Sequence, residues 1–573
     1  MSSDATTLPL RDHLLGEPEA AARRRLVSPE RRTARRDELA VSGRERRQTA
    51  IAAAVLAIII LCAAVIVLGA ADRPSFLSAP SHTGFFPHWL AGPLGGLWPS
   101  FTRSPQMLKA LFTGAMVVMY VAYLLGLKYV PMLRARWAIA TVIAAHLILF
   151  LSPPLALTDV FNYINYGRMG VLDHLNPYAT IPVLEPHTNP SFDLSNWHNL
   201  LSPYGPTFTL ITYAVVPLGL AGSLWSLKLL MLSASLATIL LVWKCARLLG
   251  RDPVQAIVLV GLNPLVLLWG LGGVHNDFLT VFFIVLGFYL LLRGGTDGVV
   301  AGAPAAETAV PRVDAAVLAV RAGAGPGVDA AVVPAAAVPT ARPRLGVAAG
   351  EARRARRARG WVGQLAPLDL GAGAALVTAT SLKASAGILI PVVLAGLLRT
   401  PRRLLAVVLG IAAAGVVLGL ASLLAFGAHL PDLGTQGRLV IAVSLPNLLG
   451  LVLGQGGETD TLRMLLSAAL VGSVLASGVL AWRWRDSLTA SGWATIALLT
   501  MLSWVLPWYV LWVLPMAALS ASRKLRVAAL ALGAYLILTW VPLATAMDNA
   551  LGFHPSKTPL GQLHQRYVKE LLN

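Results

Sequence analysis

Charged residues are scarce in this chain: Asp, Glu, Lys and Arg make up 13% of its 573 residues, whereas hydrophobic residues make up 56%. A water-soluble domain of this length needs a largely polar surface, which this composition does not supply. Apolar runs of about 20 residues, the length that crosses a bilayer, recur along the chain. The ten-residue alternation of apolar and polar residues that is typical of a transmembrane β-barrel is absent. The composition therefore predicts an all-α polytopic membrane protein.

Cysteine and acidic residues are also few. The two cysteines, Cys62 and Cys245, give no disulfide framework and match no metal-binding motif. Asp and Glu number 27 against 46 Lys and Arg, so the net charge is +19. The arginines fall mainly into two blocks outside the apolar runs, as the positive-inside rule predicts for cytoplasmic segments. Membrane lipids are therefore the expected partners of the basic segments, and nucleic acid is not.

The apolar and basic segments predict about 13 transmembrane helices in the plasma membrane, with the N-terminus in the cytoplasm. The run 206–222 is short and contains Pro217, so it is either a full span or a half-span. The changes in composition divide the chain into a disordered basic cytoplasmic tail (1–48), an N-terminal transmembrane module (49–293) with a long outer loop (156–205), a disordered Ala- and Arg-rich cytoplasmic loop (294–360), a C-terminal transmembrane module (361–546) and an outer tail (547–573).

Polar groups concentrate on the predicted outer face. Asp159 follows an apolar run and opens the outer loop, the stretch "GGVHND" (272–277) lies between two apolar runs, and Lys383 interrupts a third. Ionisable groups at the membrane are costly unless they face water, a partner or a substrate. Their placement on one face predicts a pocket at the level of the outer headgroups.

Each polar or aromatic residue of the predicted outer face also has a purely structural interpretation. Asp159 fits a helix N-cap, and a cap would hold its carboxylate firmly in place. Tyr163 and Tyr178 fit an interfacial aromatic belt as well as a sugar-stacking surface. Arg168 and Lys383 fit snorkelling to headgroups as well as contact with a phosphate. The stretch 272–277 fits a plain loop as well as a site that faces Asp159.

The motifs of soluble cofactor enzymes are missing from the sequence. No phosphate-binding glycine loop, dinucleotide fingerprint or nucleophile-elbow serine occurs in a credible context. His187, Asp193 and His198 match no metal-ligand spacing, so no metal site is assigned, and a divalent metal is not expected although the sequence does not exclude one. No cofactor is specified. An enzyme of this kind must take an activated substrate from the membrane itself.

Five short motifs, in order, carry a resemblance to a known family. They are "TDVFNYINYGRMGVLDHLNPY" (158–178), "LSPYGPTF" (201–208), "GGVHNDFL" (272–279), "SLPNLLG" (444–450) and "LPWYVLWVLP" (506–515). Together they resemble the actinobacterial polyprenyl-phosphate-mannose-dependent α-1,6-mannosyltransferases of the GT-C superfamily. The first motif departs from the family's usual Asp-Val-Tyr-Ser-Tyr and Gly-Leu-Asp-Pro-Tyr, since it reads Asp-Val-Phe-Asn-Tyr and His-Leu-Asn-Pro-Tyr here.

The resemblance implies a GT-C-like fold and a mannosyltransferase whose active site lies on the outer face. Polyprenyl-phosphate mannose would be the donor, a lipoglycan would be the acceptor, and Asp159 would be the general base. Lys383, Arg168 or Arg438 would neutralise the leaving phosphate. The substrate-binding residues expected on this basis are Tyr163, Arg168, Tyr178, Tyr204, His275, Asn276, Asp277, Lys383, Arg438, Trp508 and Tyr509.

Three other functions compete with this hypothesis. A GT-C enzyme that moves another lipid-linked sugar would have the same polar pattern. A transporter or flippase for a lipid-linked sugar predicts internal repeats and polar groups at mid-membrane, and no repeat is visible in the sequence. A non-catalytic scaffold would use the Arg-rich tail and loop for docking, but it leaves the polar groups of the outer face unexplained.

Overall fold

Helices form the regular structure of the chain. The computed structural model describes residues 29–72, 88–97, 104–155, 159–188, 190–302 and 367–572, and these ranges contain no β-strand. The all-α prediction is therefore confirmed for this part of the chain. The remaining parts of the predicted N-terminal tail and Ala- and Arg-rich loop, residues 1–28 and 303–360, lie outside the described residues.

The described residues up to 302 contain the helices of the predicted N-terminal module. The α-helices there are α1 (Pro29–Asp72), α2 (Pro105–Tyr129), α3 (Ala135–Leu151), α4 (Asp159–Val171), α5 (Pro190–Leu194), α6 (Pro206–Val215), α7 (Gly219–Leu248), α8 (Pro253–Gly261) and α9 (Asp277–Gly302). A π-helix, Leu265–Leu271, joins α8 to α9. Short 3-10 turns occupy His88–Ala91, Val130–Met132, Pro182–Leu184 and Val216–Leu218.

The described residues from 367 onward contain the helices of the predicted C-terminal module and tail. The α-helices there are α10 (Pro367–Leu382), α11 (Leu389–Leu397), α12 (Pro401–Phe426), α13 (Leu433–Gly437), α14 (Leu445–Val452), α15 (Asp460–Trp484), α16 (Ser487–Met501), α17 (Leu514–Leu519), α18 (Arg523–Trp540), α19 (Ala544–Ala550) and α20 (Pro559–Leu572). The 3-10 turns are Ala384–Ile388, Pro507–Trp512 and Pro555–Lys557.

Several helices are suited to a bilayer by length and composition. Six candidate spans are found among the described residues: Gly43–Asp72, Gln106–Met132, Pro206–Leu248, Asp277–Gly295, Pro401–Phe426 and Asp460–Trp484. Two bent pairs raise the number to eight if each is one span: Pro253–Gly261 with Leu265–Leu271, bent by 46°, and Arg523–Trp540 with Ala544–Ala550, bent by 80°. The chain is thus a multi-helix membrane protein, and the count of about 13 crossings stays a prediction.

The first helix begins well before the predicted span. Helix α1 starts at Pro29, so residues 29–48 of the predicted disordered tail are helical and continue into the apolar run. Proline is favoured at the first position of a helix, where its missing N–H leaves no bond unmade. Ala, Arg, Glu and Leu dominate the following residues and are strong helix formers. This propensity explains why the helix extends beyond the apolar run.

The segment 206–222 is not a separate span. Helix α6 has ten residues and ends in a 3-10 turn that contains Pro217. Gly219 follows with a φ of +73°, a conformation that glycine adopts without steric cost. Proline cannot donate a backbone hydrogen bond, so the two residues together interrupt the helix. Helix α7 then runs for 30 residues, which is enough to cross a bilayer.

The two ends of the helix bundle carry different residues. At one end, α3 leads to Asp159, the π-helix leads to His275, α10 leads to Lys383 and α16 leads to Trp504. The opposite ends of α3, α8 and α16 follow Arg134, Arg251 and Arg485, and that of α10 carries Asp369, which Arg403 binds at 2.8 Å. Helix α8, buried on every side, lies at the centre of the bundle. This arrangement brings the predicted site residues to one end of the helices.

Candidate active site

A cavity of about 520 Å³ lies at the polar end of the bundle. Eight of the predicted site residues line it: Asp159, Tyr163, Tyr204, Asn276, Asp277, Lys383, Trp508 and Tyr509. They come from four separate parts of the sequence, namely α4 and the loop after it, the start of α9, the end of α10 and the Pro507–Trp512 turn. The fold therefore assembles one site from the motifs that the sequence keeps apart.

Asp159 presents its carboxylate to this cavity from the start of α4. It is the first residue of the helix, and its side chain is 15% exposed. A carboxylate in the first turn is stabilised by the backbone N–H groups and the positive end of the helix dipole. The Nδ1 atom of His275 lies 3.4 Å from the Oδ2 atom of Asp159. The Asp159 carboxylate is thus held in a fixed position and remains partly accessible to solvent.

His275 is held from behind by an aromatic stack. Its ring lies on Trp508, with the centroids 3.4 Å apart and the planes within 9°. Both ring nitrogens are buried without a hydrogen bond, so the 3.4 Å approach of Nδ1 to Asp159 is a close contact whose geometry does not make a hydrogen bond. The preceding Val274 has a φ of +59°, a strained value for a β-branched residue. Strain of this kind persists where the surrounding structure fixes a functional residue.

Asp277 is the most heavily bonded carboxylate of the site. It accepts hydrogen bonds from Lys383 Nζ at 2.8 Å, Trp512 Nε1 at 2.6 Å and Trp508 Nε1 at 3.1 Å. Its side chain is 2% exposed, so a charge there must be paired to be tolerated. The three donors engage most of its acceptor capacity. Asp277 therefore holds Lys383 and the two tryptophans in place.

Lys383 remains available to the cavity although it is paired. Its side chain is 24% exposed, and its Nζ atom lies 4.3 Å from the centre of the Tyr509 ring. Burial by itself lowers the pKa of Lys383, but the Asp277 carboxylate outweighs this and leaves the pKa above its ordinary value. Lys383 is thus a cation at neutral pH, and it lines the same cavity as Asp159.

Tyrosines form the floor of the cavity. The rings of Tyr163 and Tyr204 meet edge to face with centroids 4.6 Å apart, and Phe208 packs edge-on against Tyr163 at 4.8 Å. Burial raises the pKa of Tyr163 and Tyr204 well above the ordinary value, so both hydroxyls stay neutral. The backbone N–H of Asn276 lies 3.4 Å from the Tyr163 hydroxyl oxygen. This contact joins α4 to the start of α9.

A pair of asparagines fixes a second loop against α4. Asn162 Nδ2 donates to Asn196 Oδ1 at 2.8 Å, and the Asn196 backbone N–H donates to Asn162 Oδ1 at 3.0 Å. Asn162 follows Asp159 by three residues, so the two lie on the same side of the helix. Asn196 and the adjacent Trp197 line the cavity. The helix that carries Asp159 thereby also positions this loop.

Four predicted site residues do not line the cavity. His275 acts from behind the wall, and Tyr178 is buried, with its hydroxyl donating to the Tyr204 carbonyl at 2.7 Å. Arg168 lies nine residues after Asp159 along α4, roughly 13 Å away at the helical rise. Arg438 is exposed at the end of α13. Of the three cations considered for a phosphate, only Lys383 lines the cavity.

Several residues that line the cavity were not predicted from the sequence. They are Asn196, Trp197, Gln436, Trp504, Trp512, Val568 and Leu572. Trp512 follows Trp508 by four residues within one of the quoted motifs, and this spacing was a usable signal. Val568 and Leu572 are also four apart, on the amphipathic pattern of α20. The other residues have no signal short of the fold. Within the described ranges, His, Cys, Asp and Glu form no group of three that could hold a metal ion.

Comparison with known proteins identifies the family. Residues 60–342 match the family described as alpha-(1->6)-mannopyranosyltransferase, N-terminal domain. The chain belongs to this family of glycosyltransferases. The matched range includes Asp159 and the 272–277 segment, and Lys383 and the Pro507–Trp512 turn lie beyond it. The family resemblance read from the five motifs is therefore confirmed.

Individual members of the α-(1→6)-mannopyranosyltransferase family show how far the likeness extends. An alpha-(1->6)-mannopyranosyltransferase of Mycobacterium tuberculosis is 30% identical over 412 residues, covering 67% of this chain and 65% of that protein. Alpha-(1->6)-mannopyranosyltransferase A of the same organism is 36% identical over 153 residues, which cover 26% of this chain and 29% of that protein. Alpha-(1->6)-mannopyranosyltransferase A of Corynebacterium glutamicum is 27% identical over 152 residues, which cover 25% of this chain and 30% of that protein. The chain thus spans less than two thirds of each relative, and no solved structure matches it significantly.

Proposed function

We propose that the protein transfers mannose from polyprenyl-phosphate mannose to a growing α-1,6-mannan or lipoglycan acceptor. The observation that carries this proposal is the placement of the Asp159 carboxylate and the Lys383 ammonium on the wall of one cavity. A glycosyl transfer from a phosphate needs a base for the acceptor and a cation for the leaving group. Membership of the α-(1→6)-mannopyranosyltransferase family supports mannose as the sugar.

In the proposed reaction, Asp159 accepts the proton of an acceptor hydroxyl while that oxygen attacks the anomeric carbon of the donor sugar. A new bond forms between the acceptor oxygen and this carbon, and the bond between the carbon and the phosphate oxygen breaks. The electron pair of the broken bond leaves with the polyprenyl phosphate. A single displacement inverts the anomeric centre, so a β-linked donor gives an α-linked product.

Lys383 stabilises the charge that develops on the leaving phosphate. Its ammonium carries three N–H donors, and the hydrogen bond to Asp277 uses one of them. Asp277, Trp508 and Trp512 act as positioning residues, because their contacts fix Lys383 before the substrate arrives. A cation held in place in this way costs no reorganisation during the reaction. Tyr509 packs against the ammonium and limits the directions from which a phosphate can reach it.

His275 orients the base. Its Nδ1 atom is 3.4 Å from Asp159, and the stack on Trp508 prevents the ring from turning away. A histidine in this position keeps the carboxylate oriented toward the acceptor hydroxyl. Asn276 has a buried side-chain nitrogen without a hydrogen bond and lines the cavity, which fits a donor to a sugar hydroxyl.

We place the active site on the outer face of the plasma membrane. The helix ends opposite the cavity carry Arg134, Arg251, Arg403 and Arg485, and the positive-inside rule assigns such ends to the cytoplasm. We propose that the eight candidate spans, the four shorter apolar helices and α10 together make up thirteen crossings in a GT-C-like arrangement. On this side a lipid carrier presents its sugar while its chain remains in the bilayer.

The test compares Asp159→Asn with Asp193→Asn in membranes supplied with radiolabelled polyprenyl-phosphate mannose and an α-1,6-linked dimannoside acceptor. Asp193 is an exposed residue of α5, so its substitution controls for a lost surface charge. We expect Asp159→Asn to abolish transfer, because the amide cannot accept the proton. Full activity in this variant refutes the role of Asp159. Movement of the labelled lipid across vesicles without a glycosidic bond refutes the enzymatic function.

A further inference from the structure

The C-terminal helix α20 is bound to both loops that flank the cavity. The backbone N–H of Asn199 donates to the Leu571 carbonyl at 3.0 Å, and its side-chain Nδ2 donates to the Glu570 carbonyl at 2.9 Å. Carbonyls in the last turn of a helix have no partner within the helix, so Asn199 satisfies two of them. On the other side, the Tyr567 hydroxyl donates to the Thr435 carbonyl at 3.4 Å.

The apolar side of α20 closes over an aromatic pair. Leu571 is buried against Leu200 and Leu439, and Trp197, Trp504, Tyr567 and Val568 pack around these three leucines. The rings of Trp197 and Trp504 meet edge to face with centroids 5.9 Å apart. Both tryptophans line the cavity, and so do Val568 and Leu572. Helix α20 is therefore a wall of the active-site cavity as well as a surface helix.

Two groups of residues that line the cavity differ in their surroundings. Leu498, Leu499 and Leu502 lie around the end of apolar helix α16, and Trp540 belongs to α18. Val568 and Leu572 belong to α20, whose opposite face exposes Gln565, Arg566 and Lys569. A helix with one apolar and one charged face lies at a water boundary. The α16 side thus suits a lipid carrier, and the α20 side suits a soluble sugar chain.

We propose that α20 forms the outer wall of the acceptor subsite, and that Trp197, Trp504 and Val568 determine which saccharide acceptor fits. The inference rests on the proposed function and deepens it. The acceptor class is a hexose chain whose terminal ring packs against the tryptophans, since binding sites combine apolar aromatic surface with a few directed polar groups. Asn196 and Gln436, which also line the cavity, supply such groups. The Asn162–Asn196 hydrogen bonds align this subsite with Asp159.

The experiment measures steady-state transfer by the full-length protein with radiolabelled polyprenyl-phosphate mannose and a synthetic α-1,6-linked dimannoside. Val568→Trp fills the acceptor side, and we expect the KM for the dimannoside to rise by about tenfold or more. The KM for the donor and the kcat at saturating acceptor should change by less than about twofold. Leu563→Trp is the matched control, because Leu563 lies on the same helix and is 54% exposed. It should retain wild-type constants.

A second variant keeps the proposal open to refutation if Val568→Trp does not fold. Val568→Ala enlarges the same wall, and we expect it to reduce the preference for the linear dimannoside over a bulkier, branched mannoside. Wild-type acceptor constants in folded Val568→Trp, or unchanged selectivity in Val568→Ala, overturn the inference while the proposed function stands. Absence of mannosyl transfer by the wild-type protein overturns both.

Discussion

The Asp277 carboxylate and the Lys383 ammonium form an ion pair 2.8 Å long between residues 106 positions apart in the sequence. The pair joins the start of α9 to the end of α10, and two tryptophan N–H groups complete the bonding of the carboxylate. Charges buried in this way are tolerated only when their partners are in place. The stability of the fold therefore depends on Lys383, the same residue that we propose to stabilise the leaving phosphate.

Lys383→Met tests this link. It removes the ammonium and leaves the Asp277 carboxylate buried with the two indole donors, so we expect a loss of about 3–5 kcal/mol in the free energy of unfolding. Lys383→Arg keeps the charge and should retain part of both stability and transfer. Thermal unfolding in detergent and the KM for the donor are the measurements. The double variant Asp277→Asn with Lys383→Met should lose less stability than the sum of the single changes, and strict additivity would argue against the coupling.

The indole N–H groups offer a matched pair of substitutions. Trp512→Phe removes a 2.6 Å hydrogen bond to Asp277, and a bond to a charged group is worth about 1.5–3 kcal/mol. Trp540 also lines the cavity, but its buried Nε1 atom has no hydrogen-bond partner, so Trp540→Phe removes none. We expect kcat/KM and the unfolding temperature to fall more in Trp512→Phe. Equal effects would mean that ring size, and not the hydrogen bond, matters at Trp512.

Much of the candidate site was predictable, because each of its motifs interrupts an apolar run. Asp159, Asp277 and Lys383 stand out in the sequence since a charge near a membrane needs a reason. Their mutual arrangement was not predictable from the pattern. A motif shows that Asp277 is unusual, but only the fold shows that its carboxylate binds Lys383 and two indoles rather than a sugar.

The remaining differences have physical causes that local sequence does not carry. The π-helix Leu265–Leu271 reads as ordinary apolar helix, yet its extra residue per turn leads into strained Val274 and thereby sets the position of His275. Arg168 and Arg438 looked equivalent to Lys383 as phosphate ligands, and helix length or exposure separates them from the cavity. The predicted outer tail carries no motif that indicates its place on the cavity wall, since this place depends on tertiary contacts of Leu571.

His275→Phe separates a positioning role from a binding role. Phenylalanine keeps a flat ring against Trp508 but removes both nitrogens near Asp159. A misplaced catalytic group costs up to about 10²-fold in rate, so we expect a large fall in kcat with little change in either KM. His429→Phe, at an exposed histidine, is the control. A rise in acceptor KM with unchanged kcat would instead assign His275 to substrate binding.

The docking of α20 should weaken in acid because of His564. Its Nδ1 atom is buried without a hydrogen bond, and burial together with the Arg463 guanidinium lowers the pKa of His564, against the opposing carboxylates of Glu458 and Asp460. The docked helix therefore favours neutral histidine, whereas the undocked helix binds a proton near the ordinary pKa of about 6.5. The stabilisation is complete above that pH and declines as the pH falls through it, toward the lower pKa of the docked state.

Hydrogen exchange of residues 559–572 measures this effect directly. After correction for intrinsic exchange rates, we expect α20 of the wild-type protein to open more often at about pH 5.5 than at about pH 7.5. His564→Gln has no titrating group at this position and should lose most of the difference, whereas His429→Gln, which changes an exposed histidine outside α20, should keep it. Since Val568 and Leu572 belong to the cavity wall, the acceptor KM should rise in acid together with the exchange of α20. A pH dependence that is identical in wild type and His564→Gln would show that another group controls the helix.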